Sequence, residues 1–500
     1  MRANSRRGIS RRLLASGLAV VAIASAGCVA APRTPSASVL PSASPTATPI
    51  VCDDNPGHFT PMPGTCVIPS MPEPTETVPA KETPWPSSSS VLPKLGAWRG
   101  KVILRLGADY QANVVGVQPD GSIVVLEYTN TGDGFRGALF AIRSNGNPKP
   151  GWPAAGVPVP VGFGNQVMAG DGTVYVSAVE AGTASNAPTS IDVTAVSPAG
   201  KVVSGWPYKS PAALHDYRSA QLVVGPSGQV CFVDSLPAQT PQGTNGPSGL
   251  YCLGAGGKLL AGWPYKSYRP IDHPAFGADG KLYVEQYDEQ KPGSQEIVAL
   301  GSNGKPAAGW TPWVVSAAMV SPIVVAPDGR LNLATMAMSG DELVTLAPDG
   351  TLSSKTRPAF AADQDFHQMA AAADGSLYLS TMDTGDLALF GKTAAHISAF
   401  ARDGSAKPGW PVAADGPASI FLAPDGSVWT TWQIWGNGRV TDQAMAVIEP
   451  NGQLRKGFPI ETPDLGNEVL TGTGLVFDST GNAYAIEYTG SGYAVAKIPG

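Results

Sequence analysis

Short apolar runs separated by glycine-containing turns recur along residues 94–500. One recurring turn places a glycine, usually within Asp-Gly, just after an apolar run, and a short strand such as 173–176 or 281–284 follows it. Asp-Gly between alternating apolar runs predicts a β-hairpin, because glycine readily adopts the positive φ of a tight turn. The hairpin glycines are Gly121, Gly172, Gly228, Gly280, Gly329, Gly375, Gly426 and Gly481.

A second glycine turn follows each hairpin, about 20–30 residues further along. These turns lie at Gly146, Gly200, Gly257, Gly304, Gly350, Gly404, Gly452 and Gly500. Most lead into a Gly-Trp-Pro-like element, with the aromatic residues Trp152, Trp206, Trp263, Trp310, Trp410 and Phe458. Two hairpins per repeat, at a period near 50 residues, are typical of four-stranded propeller blades. We expect the aromatic residues to fill the gaps between neighbouring blades.

The two ends of this repeat region complement each other. The sequence stops at Gly500, a turn that precedes an outermost strand in the other repeats, and residues 95–104 stand ahead of the first full repeat. Pairing the N-terminal segment with the last blade would protect two open strand edges. The sequence therefore predicts an all-β fold, a single β-propeller over residues 94–500 with eight four-stranded blades, closed by an N-terminal strand.

Composition agrees with many short strands. Glycine and proline supply 59 and 47 of the 500 residues, and charged residues make up only 14%. Such a composition favours strands joined by tight turns over long helices.

The first 27 residues resemble a bacterial export signal. They contain five arginines and no acidic residue, and their apolar run 13–26 is too short to span a bilayer. The run ends in Ser25-Ala26-Gly27-Cys28, which resembles the lipobox of bacterial lipoproteins, in which the cysteine becomes lipid-modified. Residues 10–14 also resemble a twin-arginine signal, so the Sec and Tat routes both stay open. We expect cleavage after residue 27 and a lipid anchor at Cys28 on the extracytoplasmic face of the cell membrane.

Residues 28–93 are expected to tether the propeller to this anchor. Residues 29–93 contain 15 prolines among Ser, Thr and Ala, and such a segment buries too little apolar surface to fold. Removal of residues 1–27 would change the formal net charge from −6 to −11. An acidic body does not attract nucleic acid or an anionic membrane, so we expect neither as a partner, apart from the lipid anchor itself.

The remaining cysteines form two local pairs. Cys52 and Cys66 lie in the tether, and Cys231 and Cys252 lie near neighbouring predicted strands. Because an exported protein meets an oxidising compartment, we expect a disulfide within each pair.

Several repeats resemble those of bacterial propellers with PQQ-like, quinoprotein-type repeats. The segment 299–304 followed by Trp310 is similar to their tryptophan-docking repeat, and 273–276 and 321–324 are similar to their inner strands. Residues 421–429 also resemble streptogramin-lyase-type and NHL-type repeats. These resemblances imply the propeller fold. They do not choose one activity, because the families include enzymes, assembly scaffolds and proteins with no assigned role.

Polar residues precede several predicted innermost strands, where one mouth of a propeller's central channel binds ligands. The predicted ligand-binding residues are Asn165, Gln221, Asp272, His273, Asp365, His367 and Gln368, with Tyr268 and Arg269 beside them. They allow two interpretations. A metal or acid–base centre would combine His273, His367, Asp272 and Asp365, whereas a hydrated channel mouth would use the same polar groups to satisfy exposed strand ends.

No cofactor is expected. Asp120, Asp328 and Asp425 have a backbone role as hairpin residues, and the sequence contains no calcium-loop spacing, nucleophile elbow or phosphate-binding loop. Trp429 and Trp432 are predicted to face opposite sides of one strand. At least one of Trp429, Trp432 and Trp435 should pack between blades, and the others could form a sugar-stacking platform.

Two functions remain open on the sequence. The first is a non-enzymatic, lipid-anchored surface propeller that binds a protein or glycan partner. The second is an extracytoplasmic enzyme, a lyase, hydrolase or degenerate quinoprotein dehydrogenase, with its site at the channel mouth. The tether and the lack of a compact catalytic motif favour the first.

Overall fold

A computed structural model describes residues 94–500, apart from short internal ranges. The ranges outside the description are 107–110, 131–134, 162–164, 180–189, 212–219, 236–247, 288–294, 316–318, 337–341, 357–363, 384–394, 415, 417, 437–438, 464, 466–473 and 490–491. The predicted signal peptide, the tether, Cys28, Cys52 and Cys66 therefore lie outside the described residues. The described residues form strands and turns, with no helix able to cross a membrane.

The strands form eight antiparallel sheets, numbered here as blades 1 to 8. Blade 1 contains β2 Gln111–Val117, β3 Ile123–Asn130, β4 Phe135–Ile142 and β5 Val157–Val159. Blade 2 contains β6 Gln166–Met168, β7 Val174–Val179, β8 Ile191–Val196 and β9 Tyr208–Lys209. Blade 3 contains β10 Leu222–Val224, β11 Val230–Ser235, β12 Ser248–Leu253 and β13 Tyr265–Ser267. Blade 4 contains β14 Ile271–Phe276, β15 Leu282–Tyr287, β16 Gln295–Leu300 and β17 Trp313–Val315.

The second half of the ring repeats the arrangement. Blade 5 contains β18 Met319–Val320, β19 Val324–Val325, β20 Leu331–Met336, β21 Glu342–Leu346 and β22 Leu352–Thr356. Blade 6 contains β23 Gln364–Ala371, β24 Leu377–Asp383, β25 Ala395–Phe400 and β26 Val412–Ala414. Blade 7 contains β27 Ala418–Leu422, β28 Val428–Gly436, β29 Arg439–Ile448 and β30 Ile460–Thr462. Blade 8 contains β31 Val476–Phe477, β32 Ala483–Tyr488, β33 Tyr493–Ile498 and, from the N-terminus, β1 Lys101–Arg105.

The first strands of successive blades line the inside of the ring. From β2 to β27 the first strands of neighbouring blades contact one another, and β31 contacts β2 across the closure. In blade 5 the first strand is split into β18 and β19, which both pair with β20. Pro322 lies at the split. Since proline has no N–H to donate to the ladder, the pairing with β20 is interrupted there. The prediction of eight four-stranded blades is confirmed.

The N-terminal strand completes blade 8, as predicted. Strand β1 pairs antiparallel with β33, and Val102 lies opposite Ala496. The predicted strand 95–104 nevertheless differs from the observed one. Gly96 first pairs with blade 7, where its N–H donates to the Pro459 carbonyl (2.9 Å) and its own carbonyl accepts from Glu461 N–H (2.9 Å). The free edge of β30 thus hydrogen-bonds to the backbone of Gly96, and the N-terminal segment connects blades 7 and 8.

The hydrophobic core lies between the blades and not inside any one of them. The described residues form eight buried clusters, and each combines side chains of two neighbouring blades. The cluster between blades 8 and 1, for example, contains Ile123, Val125, Tyr484 and Val495. A blade has two apolar faces, so only a closed ring covers all of them.

The repeated tryptophans dock neighbouring blades, as predicted. The indole Nε1 of Trp152 donates to the Pro198 carbonyl (2.9 Å) and that of Trp206 to the Ala255 carbonyl (2.9 Å), in each case on the next blade. Trp263 and Trp410 make the equivalent bonds at 3.0 and 3.3 Å. Trp310 differs, because its Nε1 donates to Ile297 in its own blade (3.2 Å).

The hairpin aspartates have the predicted backbone role. Asp120, Asp328 and Asp425 each accept a hydrogen bond from the N–H two residues on, at 3.0, 3.2 and 3.0 Å. This side-chain bond stabilises the tight turn in which the following glycine has positive φ.

The predicted disulfide in the propeller is present. Cys231 on β11 and Cys252 on β12 lie directly opposite each other, and their sulfurs are bonded. Both residues are buried in the core between blades 3 and 4.

Candidate functional site

The predicted site residues lie on one face of the ring, which we call the mouth face. It is the face at which the first strand of each blade begins, opposite the Asp-Gly hairpins. Asn165 and Gln221 precede β6 and β10, as expected. Asp272 and His273 lie inside β14, and Asp365, His367 and Gln368 lie inside β23, so these strands begin earlier than predicted.

Gln221, Asp272 and His273 form a hydrogen-bonded network where blades 3 and 4 meet. The Gln221 side-chain amide donates from Nε2 to Asp272 Oδ1 (3.1 Å), which joins the two blades. The same oxygen accepts the backbone N–H of His273 (2.8 Å). The structure thus brings together three of the predicted residues, and we call this network, with Glu285, the blade 3–4 seam.

Glu285 on β15 holds the His273 ring. His273 Nδ1 lies 2.7 Å from Glu285 Oε2, and the side chain of Glu285 is only 4% exposed. A buried carboxylate that binds one ring nitrogen fixes the orientation of the imidazole and leaves Nε2 outside that contact. Glu285 was missed on the sequence, although a charged residue within the apolar strand 282–287 was a usable signal.

The electrostatics of this pair favour a retained proton. Burial lowers the pKa of the His273 imidazole, but the hydrogen bond to Glu285 and the charges of Asp272 and Glu285 outweigh burial, so the pKa is raised. Burial also raises the pKa of the Glu285 carboxyl, more than His273 lowers it. The pair therefore holds a proton between imidazole and carboxylate to a higher pH than a free histidine would.

Backbone strain concentrates at the same seam. Among the described residues, only Ala220 (φ 69°) and His273 (φ 47°) have positive φ without being glycine. Ala220 precedes Gln221, and His273 lies in the irregularity of the β14–β15 ladder between Asp272 and Ala275. Such conformations cost roughly 1–3 kcal/mol each and cluster at functional sites. Their coincidence at one of eight blade junctions marks this seam as the candidate site.

The connection into β14 carries an exposed aromatic residue. Residues 268–270 are all that separate β13 from β14, and Tyr268 is 88% exposed. Arg269 beside it is fixed by an ion pair with Glu296 (2.9 Å). On the outer side of the seam, Gln286 donates to the Tyr265 hydroxyl (2.9 Å). An aromatic side chain exposed to this extent on a well-fixed connection is available to a partner.

The predicted residues in blade 6 are placed differently. The Gln368 amide joins blades 6 and 7, because its Oε1 accepts Ile420 N–H (2.9 Å) and its Nε2 donates to the Ile420 carbonyl (3.2 Å). Burial lowers the pKa of His367. The side chain of Asp365 lies outside the described part of the structure. A ligand-binding role for these residues stays a prediction.

Asn165 is exposed, and its backbone is hydrogen-bonded to Ser177. Its N–H donates to Ser177 Oγ (3.1 Å), and its carbonyl accepts the Ser177 N–H (2.9 Å). Ser177 Oγ in turn donates to the Ala220 carbonyl (2.6 Å), which extends the blade 3–4 seam into blade 2. The Asn165 side chain itself stays a predicted ligand group.

The metal centre considered on the sequence includes Asp365, whose side chain lies outside the description, so it is tested only for the described residues. They contain no group of three or more His, Cys, Asp or Glu side chains able to hold a metal ion. His273 is instead held by Glu285.

Trp429 and Trp432 of β28 do not form a sugar platform. Trp429 and Trp432 are 0% and 1% exposed and pack on opposite blade neighbours, as their alternation predicted. The side chain of Trp435 lies outside the described residues.

Comparisons with known proteins assign no activity to this chain. No protein-family model matches the sequence, and no curated protein matches it. Similar solved structures include one from a study of two prolyl endopeptidases, with 11% identity over 79% of this chain and 55% of that chain and a TM-score of 0.47. Prolyl oligopeptidase B from Galerina marginata is similar with 12% identity over 77% and 56% of the chains, TM-score 0.44. Polysaccharide lyase Uly1 is similar with 11% identity over 81% and 99%, TM-score 0.41.

The chain thus spans about half the length of the two peptidase chains. At these identities and TM-scores, none of the three structures assigns a substrate or reaction to this chain. Relationship to PQQ-like repeats stays a prediction.

Proposed function

We propose that this chain is a lipid-anchored, extracytoplasmic β-propeller that binds a protein or glycan partner through its mouth face. The observation that carries the proposal is the blade 3–4 seam, where two strained residues and a polar network lie on the same face as Tyr268. A rigid ring that holds polar groups and an exposed aromatic in fixed positions is suited to recognition.

The cellular location in this proposal rests on the N-terminal sequence. The resemblance of residues 25–28 to a lipobox supports export and anchoring at Cys28. The Cys231–Cys252 disulfide fits an oxidising compartment. The proline-rich residues 29–93 would then hold the ring away from the membrane.

Binding can be tested with cell-envelope fragments of the producing bacterium. The full chain should be retained on these fragments, and Tyr268→Ala should reduce retention at least tenfold, since exposed aromatics at interfaces often dominate affinity. Leu259→Ala is the matched control, because Leu259 is 38% exposed on the opposite face. Equal retention of both variants and the wild type would refute binding through the mouth face.

A second function is favoured by one specific observation. The His273–Glu285 contact is an imidazole–carboxylate pair of the kind used in general acid–base catalysis. Under this hypothesis the chain is an extracytoplasmic lyase or hydrolase. A turnover detected with the purified chain and abolished by alanine at His273 would favour the enzyme. Retention of the wild-type chain on envelope fragments, with no turnover, would favour the binder.

A further inference from the structure

The blade 3–4 seam presents both donors and acceptors of hydrogen bonds. Within the described residues, both bonds of the Asp272 carboxylate end on Oδ1, which leaves Oδ2 to accept from a ligand. The Gln221 bond uses Nε2 and leaves Oε1 as an acceptor. The His273 ring is bound through Nδ1, and 29% of the side chain is exposed, so Nε2 can donate when the ring is protonated.

Within the described residues, the charges of the seam disfavour one class of ligand. Asp272 and Glu285 supply two carboxylates, and His273 supplies at most one positive charge against them. The nearby guanidinium of Arg269 is neutralised by Glu296. A phosphate, sulfate or uronic acid would therefore meet net negative charge, and hydroxyl groups that both donate and accept fit better.

Tyr268 supplies an exposed aromatic surface on the connection that leads into the strand of Asp272 and His273. It lies on the three-residue connection that enters β14 and is 88% exposed. An aromatic ring covers the apolar C–H face of a sugar, while planar carboxylate and amide groups bind vicinal hydroxyls. The connection is short, and Arg269 within it pairs with Glu296, so the backbone that carries Tyr268 has little freedom.

We propose that the blade 3–4 seam binds a neutral sugar unit of an envelope glycan, with Asp272, Gln221 and His273 on its hydroxyls and Tyr268 on its C–H face. This inference rests on the proposed function and names the partner class. The buried Glu285 fixes the His273 imidazole through its contact with Nδ1.

The experiment separates glycan from protein on the same envelope fragments. One portion is treated with periodate, which cleaves vicinal diols of sugars, and another with protease. We expect retention of the full chain to survive protease, to fall at least tenfold after periodate, and to be nearly unchanged between 0.1 and about 1 M salt because no ion pair carries it. Asp272→Asn and Tyr268→Ala should each weaken retention at least tenfold, and Leu259→Ala should not.

The contrary results are distinct. Retention that survives periodate and is lost after protease would overturn the glycan while leaving the proposed function intact. Retention abolished by salt would also overturn it, since a charged ligand would then be bound. Lack of retention even on untreated fragments would overturn both the glycan inference and the proposed function. Because Tyr268 is exposed, its alanine variant separates lost binding from lost folding even if Asp272→Asn fails to fold.

Discussion

Asp478 shows how a single carboxylate stabilises a turn at the closure of the ring. It accepts hydrogen bonds from Thr480 N–H (2.9 Å), Asn482 N–H (3.0 Å) and the Tyr484 hydroxyl (2.9 Å). Burial alone would raise the pKa of the Asp478 carboxyl, but the bonds from Thr480, Asn482 and Tyr484 outweigh burial and lower the pKa to about 2. Since this lies below the ordinary value of 3.8, the stabilisation is present at neutral pH and is lost as the pH falls toward 2.

We predict that Asp478→Asn lowers the free energy of unfolding by about 2 kcal/mol at pH 7 and by about half as much at pH 3. Urea unfolding at both pH values measures the difference. Asp171→Asn is the matched control, because Asp171 caps the corresponding hairpin of blade 2 through the Thr173 N–H (2.8 Å). An equal loss at both pH values would contradict the assigned pKa.

Ala220 offers a test of the strain at the candidate site. Its φ of 69° is accessible to glycine at little cost. In Ala220→Gly, relief of backbone strain should stabilise the fold by about 1 kcal/mol. This gain should nearly offset the roughly 0.8 kcal/mol of stability lost with the buried methyl group. Ala195 is equally buried, on β8, and Ala195→Gly should cost about 1–2 kcal/mol. Chemical denaturation compares them, and similar losses would argue against strain at Ala220.

Residue roles were predictable where they are local in sequence or recur in each repeat. An Asp two residues before its bonded N–H, followed by glycine, indicates a hairpin without knowledge of the rest of the chain, as at Asp120 and Asp425. The strain at Ala220 and the Glu285 contact depend on how two blades meet. No local pattern in the sequence encodes that packing.

The N-terminal segment is the element on which closure depends. Strand β1 pairs with β33, Gly96 pairs with β30, and the Arg99 guanidinium lies 5.7 Å from the centre of the Phe458 ring. One short segment thus covers an edge of blade 8 and an edge of blade 7. Open strand edges promote association with other chains.

We predict that a chain beginning at residue 94 keeps the melting temperature of the full chain, whereas a chain beginning at residue 106 loses several degrees and associates. Thermal unfolding and size-exclusion chromatography measure both effects. An unchanged melting temperature and a monomeric elution for the shorter chain would refute a closing role for β1.

Elements were predictable in number and order, and less so in their bounds. The paired glycine turns set the register of eight blades, since each turn requires a conformation that glycine provides. The exact start of β1 was not predictable, because Gly96 pairs with Ile460, more than 350 residues away in sequence. Likewise, the first strands of blades 4 and 6 contain residues expected just ahead of them.

At the scale of the whole molecule, one face of a closed ring carries the candidate site while the N-terminus is expected to hold the ring at the membrane. Recognition at the mouth face and anchoring at Cys28 can be tested separately.

We predict that Cys28→Ser moves the protein from the membrane fraction to the soluble extracytoplasmic fraction, because the lipid on Cys28 accounts for its attachment to the membrane. Cys52→Ser is the control and should stay with the membrane. Membrane association of both variants would contradict a lipid anchor at Cys28.

Recognition through the mouth face at the blade 3–4 seam is the central claim, and hydrogen exchange of the full chain, with and without bound envelope fragments, tests it most directly. Binding at the seam predicts slowed exchange of backbone amides in residues 265–273 and 220–222, with the Asp-Gly hairpins of the opposite face unchanged. Slowed exchange confined to those hairpins, with residues 265–273 unaffected, would contradict it.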